Sequence, residues 1–171
     1  MKALILCMLV SICLPRVVGS ASYYRIANGM RTIENRDGKI TVTERSDRFK
    51  KIYYFIAKHP AEHNPIQTTE LIYNSTHPEH FAAIASVESG FDPSAVGPDG
   101  EVTIFQILEW NGKNPLNNVE ALNAAEQVLA EKKVGRSLSA AIKAYNGRGS
   151  KAERYKRLVL KRVEEINKMK I

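Results

Sequence analysis

A single carboxylate, Glu88, lies at the end of a predicted helix, where it could act as a general acid. Three apolar residues precede it at offsets that place all four side chains on one helical face. These residues are Phe81, Ile84 and Ala85. Gly90 favours the end of the helix and Pro93 cannot continue it, so Glu88 is predicted in the last turn. Partial burial and the negative end of the helix dipole should both raise its pKa, as a proton donor near neutral pH requires.

A glutamate in this place also has an explanation that needs no catalysis. Most glutamates near helix ends are solvated, and the string Glu-Ser-Gly is too short to identify an active site by itself. The residues that follow Glu88 must therefore distinguish a catalytic acid from an ordinary surface carboxylate.

Four short motifs follow one another between Phe81 and Gly147. They are Glu88-Ser89-Gly90-Phe91 continued by Asp92, Pro93, Ala95 and Val96; Gly100 with Gln106; Asn114-Pro115-Leu116-Asn117-Asn118-Val119; and Ala144-Tyr145-Asn146-Gly147. Any one of them alone would be a weak signal. Together and in this order, they resemble the lytic transglycosylase family with the soluble-transglycosylase (SLT)-type, lysozyme-like domain.

The resemblance implies a mainly α, lysozyme-like α+β fold and an activity on peptidoglycan. Glu88 would be the catalytic acid and base in cleavage of the β-1,4 bond from N-acetylmuramic acid to N-acetylglucosamine, which leaves a 1,6-anhydro end. Ser89 and Gln106 would bind the substrate in the groove. Tyr145 and Asn146 would position the sugar and Glu88. The reaction would need no cofactor.

Two departures from the family pattern concern the shape of the sugar groove. The family segment Gly-Leu-Met-Gln is replaced by Thr103-Ile104-Phe105-Gln106, and Thr103 lets the backbone approach a sugar less freely than glycine would. Glu101 is charged where the resemblance predicts a small residue. Glu88, Gln106 and the Tyr145-Asn146 pair remain in place.

The first residues predict where the protein works. Met1-Lys2, an apolar run from Ala3 to Leu14 and small residues up to Ala21 are typical of a cleaved secretory signal peptide. The apolar run is too short to span a bilayer. The only cysteines, Cys7 and Cys13, lie within it, and no lipoprotein anchor is expected there. The mature protein is therefore predicted to be periplasmic or secreted, with no disulfide and no stable membrane anchor.

The net charge and the spacing of the histidines indicate which macromolecules and metal ions the protein should bind. The net charge of +7 falls by two when Lys2 and Arg16 leave with the signal peptide, and the remaining positive charge suits an anionic cell-wall polymer. The signal peptide argues against nucleic acid as the partner.

Pro60 interrupts the helical spacing of His59 and His63, so no metal site is predicted. We expect a monomer, and by analogy of fold its small size fits family members that serve a cell-envelope-spanning machine.

The elements that position these residues divide the chain into three predicted parts. They are the signal peptide at 1–21, an N-terminal extension at 22–75 and the lysozyme-like domain at 76–171. The extension should hold a small β-hairpin with its turn at Arg36–Lys39, a helix from Asp47 to about Lys58 capped by Ser46, and a short helix from Pro65 to Tyr73.

Periodic stripes predict which residues of the helices are buried. In the extension they are Phe49, Ile52, Tyr53 and Ile56; later in the chain they are Val119, Leu122, Ala125 and Leu129, then Leu138, Ala141, Ile142 and Tyr145, then Tyr155, Leu158, Val159, Val163 and Ile166.

Two other functions stay open on the sequence alone. A hydrolytic lysozyme would need a second carboxylate, about 6.5–9.5 Å from the acid in an inverting enzyme. Its candidates are Asp92, Asp99, Glu101 and Glu109. Alternatively, Thr103 and Phe105 could indicate an altered groove in a non-catalytic protein that binds peptidoglycan or serves in assembly.

Overall fold

The computed structural model describes residues 23–27, 30–34, 40–108, 115 and 117–171. Several sequence predictions fall outside these residues: the signal peptide at 1–21, the turn at Arg36–Lys39, Glu109, and Asn114 and Leu116 of the third motif. They stay predictions.

Strands come first in the chain and helices follow. The strands are β1 Tyr23–Ala27, β2 Met30–Glu34 and β3 Ile40–Arg45; the helices are α1 Asp47–Ala57, α2 Pro65–Tyr73, α3 Pro78–Glu88, α4 Asn118–Lys133, α5 Leu138–Tyr145 and α6 Gly149–Lys168. The strand backbones pair antiparallel in the order β1-β2-β3. Because the residues between β2 and β3 are not described, the predicted hairpin stays a prediction. The described part of the chain is mainly helical, as the predicted catalytic lobe requires.

Polar side chains fix where the helices begin. The Ser46 hydroxyl accepts a hydrogen bond from the Phe49 amide at 3.2 Å, and Ser137 accepts one from Ala140 at 3.2 Å. Asn117 caps α4 by accepting from both Val119 and Glu120. The predicted start of α1 is thereby confirmed. α2 has the predicted bounds, while α1 ends one residue before Lys58, which serves as its C-cap.

Helix α3 lies at the centre of the fold. Its run from Phe81 to Ala85 is fully buried, which is expected only of a helix surrounded by other elements. Helices α1, α2 and α6 all pack against it. α1 and α2 contribute Ile52, Phe55 and Ile72 to the same hydrophobic core as α3–α6. The end of α3 is therefore held rigidly from several sides.

Three predicted stripes have the wrong residue on the buried face. In α1 the buried aromatic residues are Phe49, as predicted, and Phe55, which meets Phe91 edge-on at 6.2 Å, while Tyr53 is only partly buried. Val119 is 56% exposed, because α4 packs through the small residues that follow it rather than through its first turn. Leu158 is 41% exposed on α6, where Ala152, Tyr155 and Val159 face the core instead. Among the described residues, no helix is long and apolar enough to cross a membrane.

Candidate active site

Glu88 is the last residue of α3, as the sequence predicts. Ser89 follows as the C-cap, and Gly90 and Phe91 both adopt positive φ, at 65° and 67°. Phe91 can hold this unfavourable conformation because its side chain is fully buried against Phe55 and His59. The turn carries the chain away and leaves the Glu88 side chain at the half-buried C-terminal end of the central helix.

The Glu88 carboxyl lines a cavity of about 300 Å³. The lining residues are Glu88, Pro98, Glu101, Gln106, Tyr145 and Asn146. Three of the four predicted substrate-binding residues are thus brought together with the predicted catalytic residue, although they come from α3, α5 and the connecting loop. Glu101, the departure from the family pattern, lines the same cavity.

Ser89 is the predicted site residue that does not line this cavity. Its hydroxyl donates a hydrogen bond to the Ile104 carbonyl at 3.0 Å and lies 3.4 Å from the Ala85 carbonyl. It therefore joins the end of α3 to the loop that carries Gln106. A direct contact between Ser89 and sugar stays a prediction.

The loop from Val96 to Ile107 folds back on itself to position Gln106. Val102 bridges both Val96 and Ile107 in antiparallel fashion. Ile104 and Phe105 are fully buried, and the Phe105 ring meets Phe81 of α3 edge-on at 6.0 Å. The Ile-Phe pair that departs from the family pattern is therefore core packing and does not face the cavity.

The Gln106 side chain is fixed by its own loop. Its amide nitrogen donates to the Ala95 carbonyl at 3.1 Å and to the Thr103 carbonyl at 2.9 Å. Gly97 lies beside it, and a Cβ there would lie 2.3 Å from a Glu101 carboxylate oxygen and 2.9 Å from the Gln106 amide oxygen. The ends of both side chains would have to shift to make room for it.

The environment of Glu88 favours a proton on it. Burial raises the pKa of the Glu88 carboxyl to about 7, and the nearby Glu101 carboxylate adds to the rise. The Tyr155 hydroxyl acts in the opposite direction. It approaches closely enough to favour the charged carboxylate, though without the geometry of a full hydrogen bond. A carboxyl with a pKa near 7 can both donate and accept a proton near neutral pH.

Tyr155 is the site residue that the sequence analysis missed. Its position on the apolar stripe of α6 indicates core packing, and it is indeed buried. The hydroxyl, however, is turned toward Glu88 and lacks a hydrogen-bond partner among the described residues. The available signal was its type: a buried tyrosine usually finds a partner for its hydroxyl, which a phenylalanine does not need.

Two further residues, Tyr145 and Thr103, lie on or beside the loop that carries Gln106. The Tyr145 hydroxyl donates to the Phe105 carbonyl at 3.4 Å, which ties α5 to the loop. Burial and the neighbouring Glu88 both raise the pKa of Tyr145, so it stays a neutral phenol. Thr103 has a φ of 70° and a buried hydroxyl without a partner among the described residues. Its place in the family motif belongs to glycine, the residue that this backbone conformation favours.

A mainly helical domain with one protonatable glutamate at the end of its central helix is consistent with a lysozyme-like, glycan-cleaving protein. The comparisons with known proteins agree: the family model described as the transglycosylase SLT domain matches residues 65–167. The chain belongs to this family, whose members are lytic transglycosylases, lyases that act on peptidoglycan. The match begins before residue 76, where the lysozyme-like domain was predicted to start. No curated protein and no solved structure matches the chain.

Proposed function

We propose that this protein is an exported lytic transglycosylase that cleaves the β-1,4 bond between N-acetylmuramic acid and N-acetylglucosamine and leaves a 1,6-anhydro end. The observation that carries the proposal is the Glu88 carboxyl, whose pKa is raised to about 7 inside a cavity of sugar-binding size. Family membership supports peptidoglycan as the substrate.

Glu88 acts first as an acid. Its proton passes to the bridging oxygen as the bond from that oxygen to the anomeric carbon of N-acetylmuramic acid breaks. The departing N-acetylglucosamine keeps the oxygen as a hydroxyl group. Glu88 becomes a carboxylate, and positive charge develops on the anomeric carbon and ring oxygen.

Glu88 then acts as a base. Its carboxylate takes the proton of the 6-hydroxyl of the same N-acetylmuramic acid, and that oxygen bonds to the anomeric carbon. The ring closure restores the protonated Glu88 and consumes no water. The attacking oxygen belongs to the bound sugar, and such proximity can lower a barrier by roughly 7–11 kcal/mol. One group thereby serves both steps, for which a pKa near neutrality is suited.

The remaining residues of the cavity position the sugar. Asn146 presents its amide group to sugar hydroxyls and acetamido groups, and Gln106 presents its amide oxygen, because its amide nitrogen already donates twice within the loop. Tyr145 lines the cavity while its hydroxyl holds the loop. Ser89 contributes by fixing the same loop to the end of α3.

A hydrolytic lysozyme is the second candidate function, and Glu101 is the observation that favours it. It lines the cavity with Glu88 and accepts a hydrogen bond from the Asp99 amide at 3.0 Å, whereas Asp92 is not among the lining residues. If Glu101 activated water, the products would carry reducing muramic ends.

Mass spectrometry of digested cell-wall sacculi tests the proposal. We expect every new muramic end to be the anhydro form, lighter by one water than a hydrolysis product. Reducing ends that disappear in Glu101→Ala, with anhydro ends in their place, would establish the hydrolase instead. Absence of any cleavage, with the full chain folded, would favour a peptidoglycan-binding protein. N-terminal sequencing of exported material should find a start near Ser22.

A further inference from the structure

A second cavity lies beside the candidate active site and is larger, at about 520 Å³. It is open to solvent and is bordered by the end of α4, one side of α5 and the start of α6. The lining residues are Lys132, Arg136, Ala140, Lys143, Ala144, Gly147, Arg148 and Gly149. We call it the basic cavity, because four of these residues are cationic and none is acidic.

Most of this positive charge is not neutralised within the described part of the chain. Lys143 pairs with Glu153 at 2.9 Å, but Glu153 is shared with Lys156. The other three cations, Lys132, Arg136 and Arg148, have no ion pair with a carboxylate among residues 46–108 and 117–171. Cations gathered around a concave surface attract anions more strongly than scattered surface charges do.

The start of α6 adds to the preference for anions. Arg148 is its N-cap, and no side chain caps the first amide groups of this twenty-residue helix. These amides and the helix dipole place further partial positive charge at the cavity wall.

The basic cavity and the catalytic cavity share the last turn of α5. Ala144 and Gly147 line the basic cavity, while the two residues between them, Tyr145 and Asn146, line the catalytic cavity. A ligand that extends from the sugar beside Asn146 would need to pass only this turn to reach the cations.

We propose that the basic cavity binds the carboxylates of the peptide stem attached to N-acetylmuramic acid. This inference rests on the proposed function. The glycan itself is uncharged in peptidoglycan, since the lactyl carboxyl is consumed in joining the stem. The stem carries free carboxylates, and it leaves the glycan at the sugar that contains the reacting carbon. Charge and placement both match the cavity.

Binding of the isolated stem tests this separately from cleavage. The probes are a synthetic tetrapeptide stem with free carboxylates and the same peptide fully amidated, titrated by calorimetry into the full chain. We expect the free acid to bind, and the amidated form to bind at least about tenfold more weakly. Equal affinity for the two peptides, or binding of neither, would overturn the proposal even if the protein cleaves glycan.

A matched pair of double variants locates the binding. Lys132→Gln/Arg136→Gln removes two cations from the cavity, and Arg157→Gln/Lys161→Gln removes the same two residue types, equally spaced, from the exposed side of α6. The first pair should weaken stem binding about tenfold and the second should not. An equal loss in both pairs would show general charge attraction and overturn the site. Melting temperatures confirm that both pairs are folded.

Cleavage assays then compare stem-bearing glycan strands with strands stripped of stems by an amidase. In the Lys132→Gln/Arg136→Gln variant, KM should rise for stem-bearing strands and should stay at the wild-type value for stripped strands. If the variant instead lost affinity for a short single-stranded DNA and not for the stem, the cavity would be a phosphate site and the proposal wrong. If wild type cleaves neither substrate but still binds the free-acid stem, the proposed function fails and this inference stands.

Discussion

The rings of Tyr145 and Tyr155 lie parallel, with centroids 6.4 Å apart and an interplanar angle of 2°. One comes from α5 and the other from α6, so the offset stack joins the two helices beside Glu88. Their hydroxyl groups have different tasks: that of Tyr145 holds the loop through Phe105, and that of Tyr155 faces the Glu88 carboxyl. The stack thus sets how closely a hydroxyl approaches the proposed acid.

Removing the Tyr155 hydroxyl should move the activity profile to higher pH. In Tyr155→Phe the pKa of Glu88 should rise above about 7, because the group that favours the carboxylate is gone. The first step needs protonated Glu88, so kcat/KM should fall on the alkaline side at a higher pH than in wild type.

Glu101→Ala provides the opposite shift. Loss of a neighbouring negative charge should lower the pKa of Glu88 and move the alkaline limb to lower pH. Carbon NMR titration of the Glu88 carboxyl would measure both shifts without turnover. A Glu88 pKa that is unchanged or lowered in Tyr155→Phe would show that Tyr155 only packs.

Local signals were enough to predict the end of α3 and the cap of α1. Glycine, proline and serine act through their own backbone or through an amide three residues away, so they are legible in sequence. The errors at Tyr53, Val119 and Leu158 concern which side of a helix is covered, and that depends on neighbours distant in the chain. Tyr155 was missed for the same reason: its role requires α6 to pack against α3.

Replacing the strained loop residue Thr103 by glycine should increase the stability of the fold. A β-branched residue at a φ of 70° costs about 1–2 kcal/mol, and an unpartnered buried hydroxyl costs about 1–3 kcal/mol. Thr103→Gly removes both, against an unfolded-state entropy cost of about 0.5–1 kcal/mol. We expect the free energy of unfolding of Thr103→Gly, measured in urea, to be about 1 kcal/mol higher than that of wild type.

Thr103→Val separates the two contributions to that gain. It keeps the size and the positive φ and removes only the hydroxyl, so any gain in stability should be smaller than that of Thr103→Gly. A glycine variant less stable than wild type would mean that the Thr103 side chain makes packing contacts worth more than the strain.

Replacing the positioning residues Tyr145 and Asn146 should lower kcat/KM less than replacing the acid Glu88. Tyr145→Phe and Asn146→Ala each keep Glu88 and its proton, so each should reduce kcat/KM less than Glu88→Gln does, by up to about 10²-fold for misplacement of roughly 1 Å. Circular dichroism must accompany the Tyr145 assay, because its hydroxyl also holds the loop. Wild-type rates in both variants would remove these residues from the site.

Replacing Glu88 by glutamine should abolish cleavage. The change keeps the size of the side chain and removes the transferable proton. General acid–base groups contribute about 10²–10⁴-fold to rates, and here one group would serve both steps. A variant that retains more than about a tenth of the activity would exclude Glu88 as the catalyst.

The same substitution should stabilise the fold, and only at higher pH. The folded protein holds the Glu88 proton up to about pH 7, whereas the unfolded chain releases it near the ordinary value of 4.5. Between these values the folded state binds more protons, so this group's contribution to the free energy of unfolding falls as pH rises. Glutamine carries no such dependence. The free energy of unfolding of Glu88→Gln should therefore match that of wild type near pH 4 and exceed it at pH 8 by roughly 1–3 kcal/mol, measured by urea unfolding at both values.

Glu131→Gln, the same change at an exposed position of α4, is the control and should show no such gain. An advantage for Glu88→Gln that is equal at both pH values would mean that the glutamate is not held protonated by the fold.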